Sequence, residues 1–97
     1  MKSKLMVLDR DYNWLKHKYK LCEETCELVK GINEKDLANI AEEALDIIQV
    51  CIGILDKLQL NGIDISQVFL RHEKKLIDRG LKPKGVIEIE VRNIGRV

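Results

Sequence analysis

The sequence predicts an all-α fold, an antiparallel helical bundle that ends in a short C-terminal β-strand. Three helix-length segments, at about residues 11–30, 34–60 and 64–79, are bounded by capping residues or glycine. Residues 41–55 are almost wholly apolar, so we expect this segment to be buried on most of its circumference. With one Trp, one Phe and two Tyr, the chain must build a mostly aliphatic core.

The length of 97 residues predicts a single domain, with a helical core at about residues 11–80 and a tail at 81–97. A chain this short buries only roughly two-thirds of its unfolded surface. An almost wholly apolar helix in so small a chain predicts burial against another copy of the chain. We therefore expect oligomerisation to complete the bundle, as a homodimer or a homotetramer.

The first predicted helix begins at Asp11 or Asn13 as its cap and runs to about Lys30, with Gly31 ending it. It has an apolar stripe, a second apolar row and a polar face. The stripe is Leu15, Tyr19, Cys22, Cys26 and Val29, the row is Trp14, Leu21 and Leu28, and the polar face is His17, Lys20, Glu24 and Glu27. Because the second apolar row adjoins the polar face, we expect that face to border a cleft.

The second predicted helix follows a short connector in which Asn33 is the N-cap and Asp36 supports it. It runs from about Glu34 to Leu60 and stops at the turn signal that begins at Asn61. Because the connector is short, we expect the first two helices to be antiparallel neighbours.

The third predicted helix begins near Asp64 or Ser66 and ends at Arg79, with Gly80 as its left-handed terminator. Its expected inner side is Val68, Phe69, His72, Leu76 and Ile77, with His72 as a core histidine. Residues 86–91 alternate apolar and acidic side chains, which predicts a strand. Since one strand is not stable alone, it would pair with residues 5–8 or with its symmetry mate.

The cysteines and the hydropathy pattern favour a cytoplasmic protein. Cys22, Cys26 and Cys51 are odd in number and lie within predicted helices, unlike a secreted disulfide framework. A zinc site of Cys22 and Cys26 with His17 and His72 is the weaker alternative to buried apolar cysteines. No apolar run approaches the ~20 residues that cross a bilayer, and residues 5–8 are too short for a signal peptide core. We expect no membrane partner.

The charges are unevenly distributed, although the net charge is only +1. Residues 1–20 have six Lys or Arg against two acids, residues 21–64 three against ten, and residues 65–97 eight against four. An acidic centre between basic segments suits a metal–polyphosphate complex, and an ordinary mixed surface is the alternative. No basic stripe is interleaved with aromatic residues, so we expect no nucleic-acid partner.

Two pairs of carboxylates have helical i, i+3 spacing: Glu24 with Glu27, and Glu43 with Asp46. Asp46 lies on the apolar helix, where an unpaired charge would cost several kcal/mol. Acidic side chains from two facing helices form an oxygen-lined pocket, which suits Mg²⁺ or Mn²⁺ rather than zinc.

The order of these residues is Lys20-Leu21-x-Glu23-Glu24-x-x-Glu27-Leu28, followed by Glu42-Glu43-x-x-Asp46. This pattern resembles the MazG-like family of all-α nucleoside triphosphate pyrophosphohydrolases, over about residues 13–80. The resemblance implies conversion of a (d)NTP to the (d)NMP and pyrophosphate.

The resemblance also implies roles for individual residues. Glu24, Glu27, Glu43 and Asp46 would hold Mg²⁺, for which Mn²⁺ can substitute. Glu23 would help to orient or deprotonate the attacking water, or is a surface residue. Lys75 and Arg79, with Lys74 less well supported, would contact phosphates, or are solvated. Trp14 would stack on the base, or pack in the core or at a subunit interface.

The chain departs from the family pattern at His17, where many members have glutamine, and in its basic, strand-like tail. The alternative function is a non-catalytic, metal-binding helical module for oligomerisation or regulation. A third hypothesis is a helical partner protein that binds no metal. The four intact carboxylates favour the enzyme.

Overall fold

The computed structural model describes residues 1–92 and contains three helices: α1 (Trp14–Glu34), α2 (Leu37–Leu60) and α3 (Ile65–Asp78). The all-α prediction is confirmed, and no strand occurs among these residues. The chain divides into two compact units, Met1–Ile65 and Ser66–Val97. The first contains α1, α2 and an N-terminal arm, residues 1–13, which has no regular secondary structure. No described helix is long and apolar enough to span a bilayer.

Capping side chains set the starts of α1 and α2. Asn13 accepts a hydrogen bond from the Lys16 backbone amide at 2.8 Å, which confirms one of the two predicted caps. Asp36, rather than Asn33, caps α2 by accepting from the Asn39 amide at 3.2 Å. The prediction that Asn33 is a cap is wrong because α1 is still helical there.

The prediction that Gly31 ends the first helix is also wrong. α1 continues for three more residues, and Lys35 adopts the left-handed conformation at its end (φ 56°). Gly31 is buried inside the helix, where an added Cβ would lie 3.4 Å from both Asn39 Nδ2 and Ile40 Cγ1. The glycine therefore allows the two helices to approach closely.

The first two helices pack antiparallel, as predicted. With increasing distance from the connecting loop, residue numbers fall along α1 and rise along α2. From the loop outward the facing residues are Gly31 with Ile40, Glu24 with Glu43, His17 with Gly53, and Trp14 with Lys57. This register brings the acidic residues of the two helices to the same level.

Replacement of Gly31 by valine is expected to lower the free energy of unfolding by about 1–3 kcal/mol, because a Cβ and two Cγ carbons must fit into the contact with α2. Alanine at the same position is the matched control. Its single Cβ fits at 3.4 Å, and its better helix propensity offsets residual crowding. Urea unfolding measures both variants. Equal stability of the two would show that the helices are not closely packed here.

The polar face of α1, predicted to border a cleft, contributes His17 and Lys20 to one and Glu24 to the contact with α2, whereas its apolar stripe points outward. His17 is only 7% exposed, but Leu15, Tyr19 and Val29 are 55%, 62% and 52% exposed. The expectation that residues 41–55 are buried on most of their circumference is wrong for the single chain. No residue of α2 is buried, and Leu45 and Ile48 are about half exposed. These helices thus retain uncovered apolar surface.

The second unit differs from the sequence prediction at two places. α3 ends near the predicted residue and Gly80 has a positive φ of 76°, but His72, predicted to be a core residue, is exposed. Among residues 66–92 no side chain covers His72. Residues 86–91 form no strand, because none of the described residues pairs with them. Residues 93–97 of the predicted tail lie outside the described part.

Candidate active site

Three carboxylates from α1 and α2 form an acidic cluster. Glu24, Glu43 and Asp46 each offer an oxygen, and these oxygens all lie within 4.8 Å of one another. Glu43 and Asp46 project from the same side of α2 because they are one helical turn apart. The helix register described above brings Glu24 opposite them. Three of the four residues predicted to hold a metal are therefore together.

Glu43 has one carboxylate oxygen that is fully buried. Its Oε2 is shielded from solvent and has no hydrogen-bond partner among the described residues. Burial raises the pKa of Glu43 above its ordinary value of 4.5, and a side-chain hydrogen-bonding interaction with the Glu24 carboxyl and then the charges of Asp46, Glu24 and Glu27 raise it further. The negative charge that Glu43 carries near neutral pH is thus disfavoured unless a cation balances it.

The sequence predicted Asp46 as the poorly solvated carboxylate, and this prediction is wrong for the single chain. Asp46 is exposed, whereas Glu24 and Glu43 are half-buried. The difference arises because the apolar residues around Asp46 are not covered by other parts of the chain. Glu43, which faces α1 directly, is therefore the poorly solvated carboxylate that the apolar pattern had predicted at Asp46.

The donor set of the acidic cluster fits a hard divalent cation. All three candidate ligands are carboxylate oxygens, which Mg²⁺ and Mn²⁺ prefer, and no thiol or imidazole belongs to the group. The unpartnered Oε2 of Glu43 is an acceptor that a cation would satisfy. Glu27 is exposed and outside this group, although its charge acts on Glu43.

Lys20 lies between Glu24 of the acidic cluster and Glu23 outside it. Its Nζ is 3.7 Å from Glu23 Oε2 and 3.9 Å from Glu24 Oε1. The Glu23 side chain is 61% exposed, whereas that of Glu24 is only 15% exposed. Glu23 therefore lies on the solvent side of the same lysine, where it can reach water or a ligand without being a member of the cluster.

A group of rings surrounds His17 at the other end of the α1–α2 contact. The imidazole lies 5.4 Å from the Tyr12 ring and 5.9 Å from the Trp14 ring, centroid to centroid. A Cβ at Gly53 would be 3.3 Å from His17 Cε1, so the absent side chain makes room for the ring. Burial, and then the positive charge of Lys57, lowers the pKa of His17, which keeps it neutral at pH 7.

A small cleft lies beside this group, within the Met1–Ile65 unit. It is lined by residues of the arm, including Leu8 and Tyr12, and by helix residues that include His17, Lys20 and Gly53. Trp14, the predicted base-stacking residue, is 49% exposed and packs against His17 and under Lys57. Because residues 1–10 have no clear period, no local sequence pattern predicted that the arm lines this cleft.

The other predicted substrate-binding residues lie on α3 and directly after it. Lys75 and Arg79 line a shallow depression together with Arg71, Lys74 and Asp78. The Lys74 Nζ pairs with Asp78 Oδ2 at 2.7 Å, which partly neutralises this surface. Within its own unit, this group remains a cationic surface that is open to solvent.

Comparison with known proteins identifies the family of this chain. The family model described as "MazG nucleotide pyrophosphohydrolase domain" matches residues 15–83, which contain all five acidic candidates. Searches of curated proteins and of solved structures gave no match. The match covers more than half of the chain, and the chain belongs to the MazG nucleotide pyrophosphohydrolase domain family.

Proposed function

We propose that the chain is a Mg²⁺-dependent nucleoside triphosphate pyrophosphohydrolase, which converts a (d)NTP to the (d)NMP and pyrophosphate. The observation that supports it most is the acidic cluster around the unpartnered Glu43 Oε2. Family membership supplies the reaction class. A purely structural helix pair gains nothing from three carboxylates that repel one another in its interface.

Glu24, Glu43 and Asp46 would hold the ion, with Glu27 joining them by a change of side-chain rotamer. When bound, the ion neutralises charge on the triphosphate and lowers the pKa of a coordinated water. The carboxylates also fix where the triphosphate binds, because a second anion is tolerated at the cluster only together with a cation. Mn²⁺ would substitute for Mg²⁺, since both accept this oxygen donor set.

The proposed reaction is attack of water at the α-phosphorus and cleavage of the anhydride bond between the α- and β-phosphates. Glu23 is the proposed base for this water, because it is solvent-accessible and adjoins the cluster through Lys20. The Lys20 ammonium lies 3.7 Å from the Glu23 carboxylate, which places that carboxylate beside the cluster. Lys75 and Arg79 are proposed phosphate contacts, and Trp14 is a proposed contact to the nucleoside.

We also propose that the active form is a homodimer or homotetramer. The apolar stripe of α1 and the half-exposed Leu45 and Ile48 of α2 leave more apolar surface uncovered than a monomer of this size normally shows. The free thiols of Cys22, Cys26 and Cys51 are exposed in the single chain, which fits a reducing compartment such as the cytoplasm.

Substitution of Tyr19 by aspartate is expected to dissociate this oligomer, because a charge would replace an exposed ring in the middle of the stripe. Light scattering after size exclusion gives the mass of the parent and the variant. Lys18→Asp, one position away on the exposed side of α1, is the matched control. A monomeric parent at micromolar concentration would contradict the proposed assembly.

Pyrophosphate release from a panel of ribo- and deoxyribonucleoside triphosphates with Mg²⁺ tests the enzymatic function. The parent is expected to hydrolyse at least one substrate, and Asp46→Ala and Glu27→Ala to lose most activity. Glu42→Ala, which changes an exposed acid outside the cluster, is expected to retain it. Turnover of no nucleotide, with Mn²⁺ binding intact, would support the regulatory module instead. Activity untouched by both substitutions would remove the site assignment.

A further inference from the structure

The cleft described above is built from two parts of the chain. One wall comes from the helices, with His17, Lys20 and Gly53 among its residues. The other comes from the N-terminal arm, with Leu8 and Tyr12. The arm precedes the residues that match the family domain, which begin at residue 15. This wall therefore lies outside the residues that match the family model.

A hydrogen bond attaches the arm to α2. The side-chain amide of Gln49 donates to the Met6 carbonyl oxygen at 2.7 Å, across 43 positions of the sequence. Gln49 itself lines the cleft. Arg10 donates a hydrogen bond to the Tyr12 hydroxyl at 3.1 Å and lies over its ring, which holds that ring at the cleft. The arm wall is thus positioned by specific contacts.

The cleft and the acidic cluster are adjacent. Lys20 lines the cleft while its Nζ lies 3.9 Å from Glu24 Oε1, a member of the cluster. On α2, the cleft residue Val50 follows Asp46 by one turn, which is about 6 Å along the helix axis. A ligand whose phosphates are at the cluster can therefore extend another group into the cleft.

The size and lining of the cleft indicate what that group is. It encloses about 90 Å³, far less than the roughly 300–1,000 Å³ of sites for drug-sized ligands. It therefore accepts one planar ring system rather than a whole nucleotide. The rings of Tyr12 and His17 and the aliphatic Leu8 and Val50 are surfaces that suit the faces of a heterocycle. Charged side chains also line the cleft, and they can pair with the polar edge of such a ring; they are Arg10, Asp11, Lys20, Asp56 and Lys57.

We propose that this cleft is the nucleobase subsite and that the N-terminal arm, through Leu8 and Tyr12, determines which base is accepted. This inference rests on the proposed triphosphate hydrolysis, and it adds a specificity element outside the matched domain. The helices supply the part of the site that any nucleotide would use. The arm supplies the wall that distinguishes one base from another.

The inference is tested with substitutions that enlarge or remove side chains of the arm and leave the residues of both helices unchanged. Leu8→Trp places a bulky ring in the cleft, and Val7→Trp, at the exposed neighbouring position outside the lining, is the matched control. Leu8→Trp is expected to raise KM for the best (d)NTP about tenfold, with a smaller effect on kcat. Tyr12→Ala is expected to reduce the difference in kcat/KM between (d)NTPs that carry different bases. Val7→Trp should match the parent.

A second readout does not depend on hydrolysis. Nucleosides without phosphates are titrated into the parent while the imidazole signals of His17 and His72, the two histidines of the chain, are followed by NMR. We expect the His17 signal to shift for the accepted base, and this shift to be lost in Leu8→Trp. The His72 signal is the internal control for any change that affects both imidazoles alike, such as a drift in pH.

The outcomes separate this inference from the proposed function. A nucleoside-dependent shift of His17 that Leu8→Trp removes, in a protein that hydrolyses no (d)NTP, would support the subsite and reject the hydrolase. Hydrolysis with the same KM and base preference in the parent, Leu8→Trp and Tyr12→Ala would reject the subsite and leave the hydrolase intact. Equal effects of Val7→Trp and Leu8→Trp would likewise overturn the assignment.

Discussion

Substitution of Asp46 by asparagine is expected to weaken Mn²⁺ binding by at least about tenfold, because loss of a residue that only orients a ligand already costs 10–100-fold. The substitution keeps the shape of the side chain and removes its charge. Asp46 is exposed, so the neutral amide needs no new partner and the helix content should not change. Calorimetric titration measures the affinity, and far-UV circular dichroism measures the helix content.

Glu42→Gln is the matched control for this substitution, since Glu42 is an exposed acid on the same helix outside the cluster. Both variants lose one negative charge, so the net charge of the protein changes equally in the two. Only Asp46→Asn also removes a proposed ligand of the cation. If Asp46→Asn bound Mn²⁺ as tightly as Glu42→Gln, the cation site would have to lie elsewhere.

Substitution of Glu43 by glutamine is expected to have opposite effects on the metal-free and metal-bound proteins. Without metal, the variant should be more stable than the parent, because a poorly solvated charge beside other carboxylates is removed. With Mg²⁺ at about 100 times Kd, the parent should gain about 2.7 kcal/mol, and the variant should lose most of this gain. Thermal melts with and without Mg²⁺ measure both effects.

The same carboxyl predicts a pH dependence of the metal-free protein. Burial and the neighbouring acids raise the pKa of Glu43 in the folded state above 4.5, so the folded state retains a proton that the unfolded state has released. Stability should therefore fall as pH rises from about 4.5 through the raised pKa. Glu43→Gln should abolish this part of the profile, as should saturating Mg²⁺ at the upper end of the range.

Glu34→Gln controls for charge removal at an exposed site on α1, away from the cluster. Its thermal profile should follow that of the parent at every pH, with and without Mg²⁺. A Glu43→Gln variant that is destabilised without metal, or that retains the full Mg²⁺ effect, would show that Glu43 does not carry the unfavourable charge.

Local sequence signals predicted the helices and most of the acidic cluster. Asn13 caps α1 through a side-chain oxygen, which is a property of the residue itself. The i, i+3 spacing of Glu43 and Asp46 fixed their common face, and the short connector required antiparallel helices. These features depend on a few neighbouring residues, so the sequence was sufficient for them. The family match agrees with the fold that they imply.

Features that depend on contacts between distant residues were not predictable in this way. Gly31 has the sequence signature of a terminator, but close packing against Asn39 and Ile40 gives it a role inside α1. The arm is attached by the bond from Gln49 to Met6, which no local pattern indicates. The solvation of each acid on α2 depends on how α1 covers that helix. As a result, Glu43 has a buried oxygen, whereas Asp46 is exposed.

Anomalous diffraction from crystals grown with Mn²⁺ tests the central claim most directly, that the acidic cluster of α1 and α2 holds a divalent cation. We predict a manganese peak coordinated by oxygens of Glu24, Glu43 and Asp46, and its loss in crystals of the Glu43→Gln variant. A manganese peak at another group of residues, with the three carboxylates free of metal, would contradict the claim.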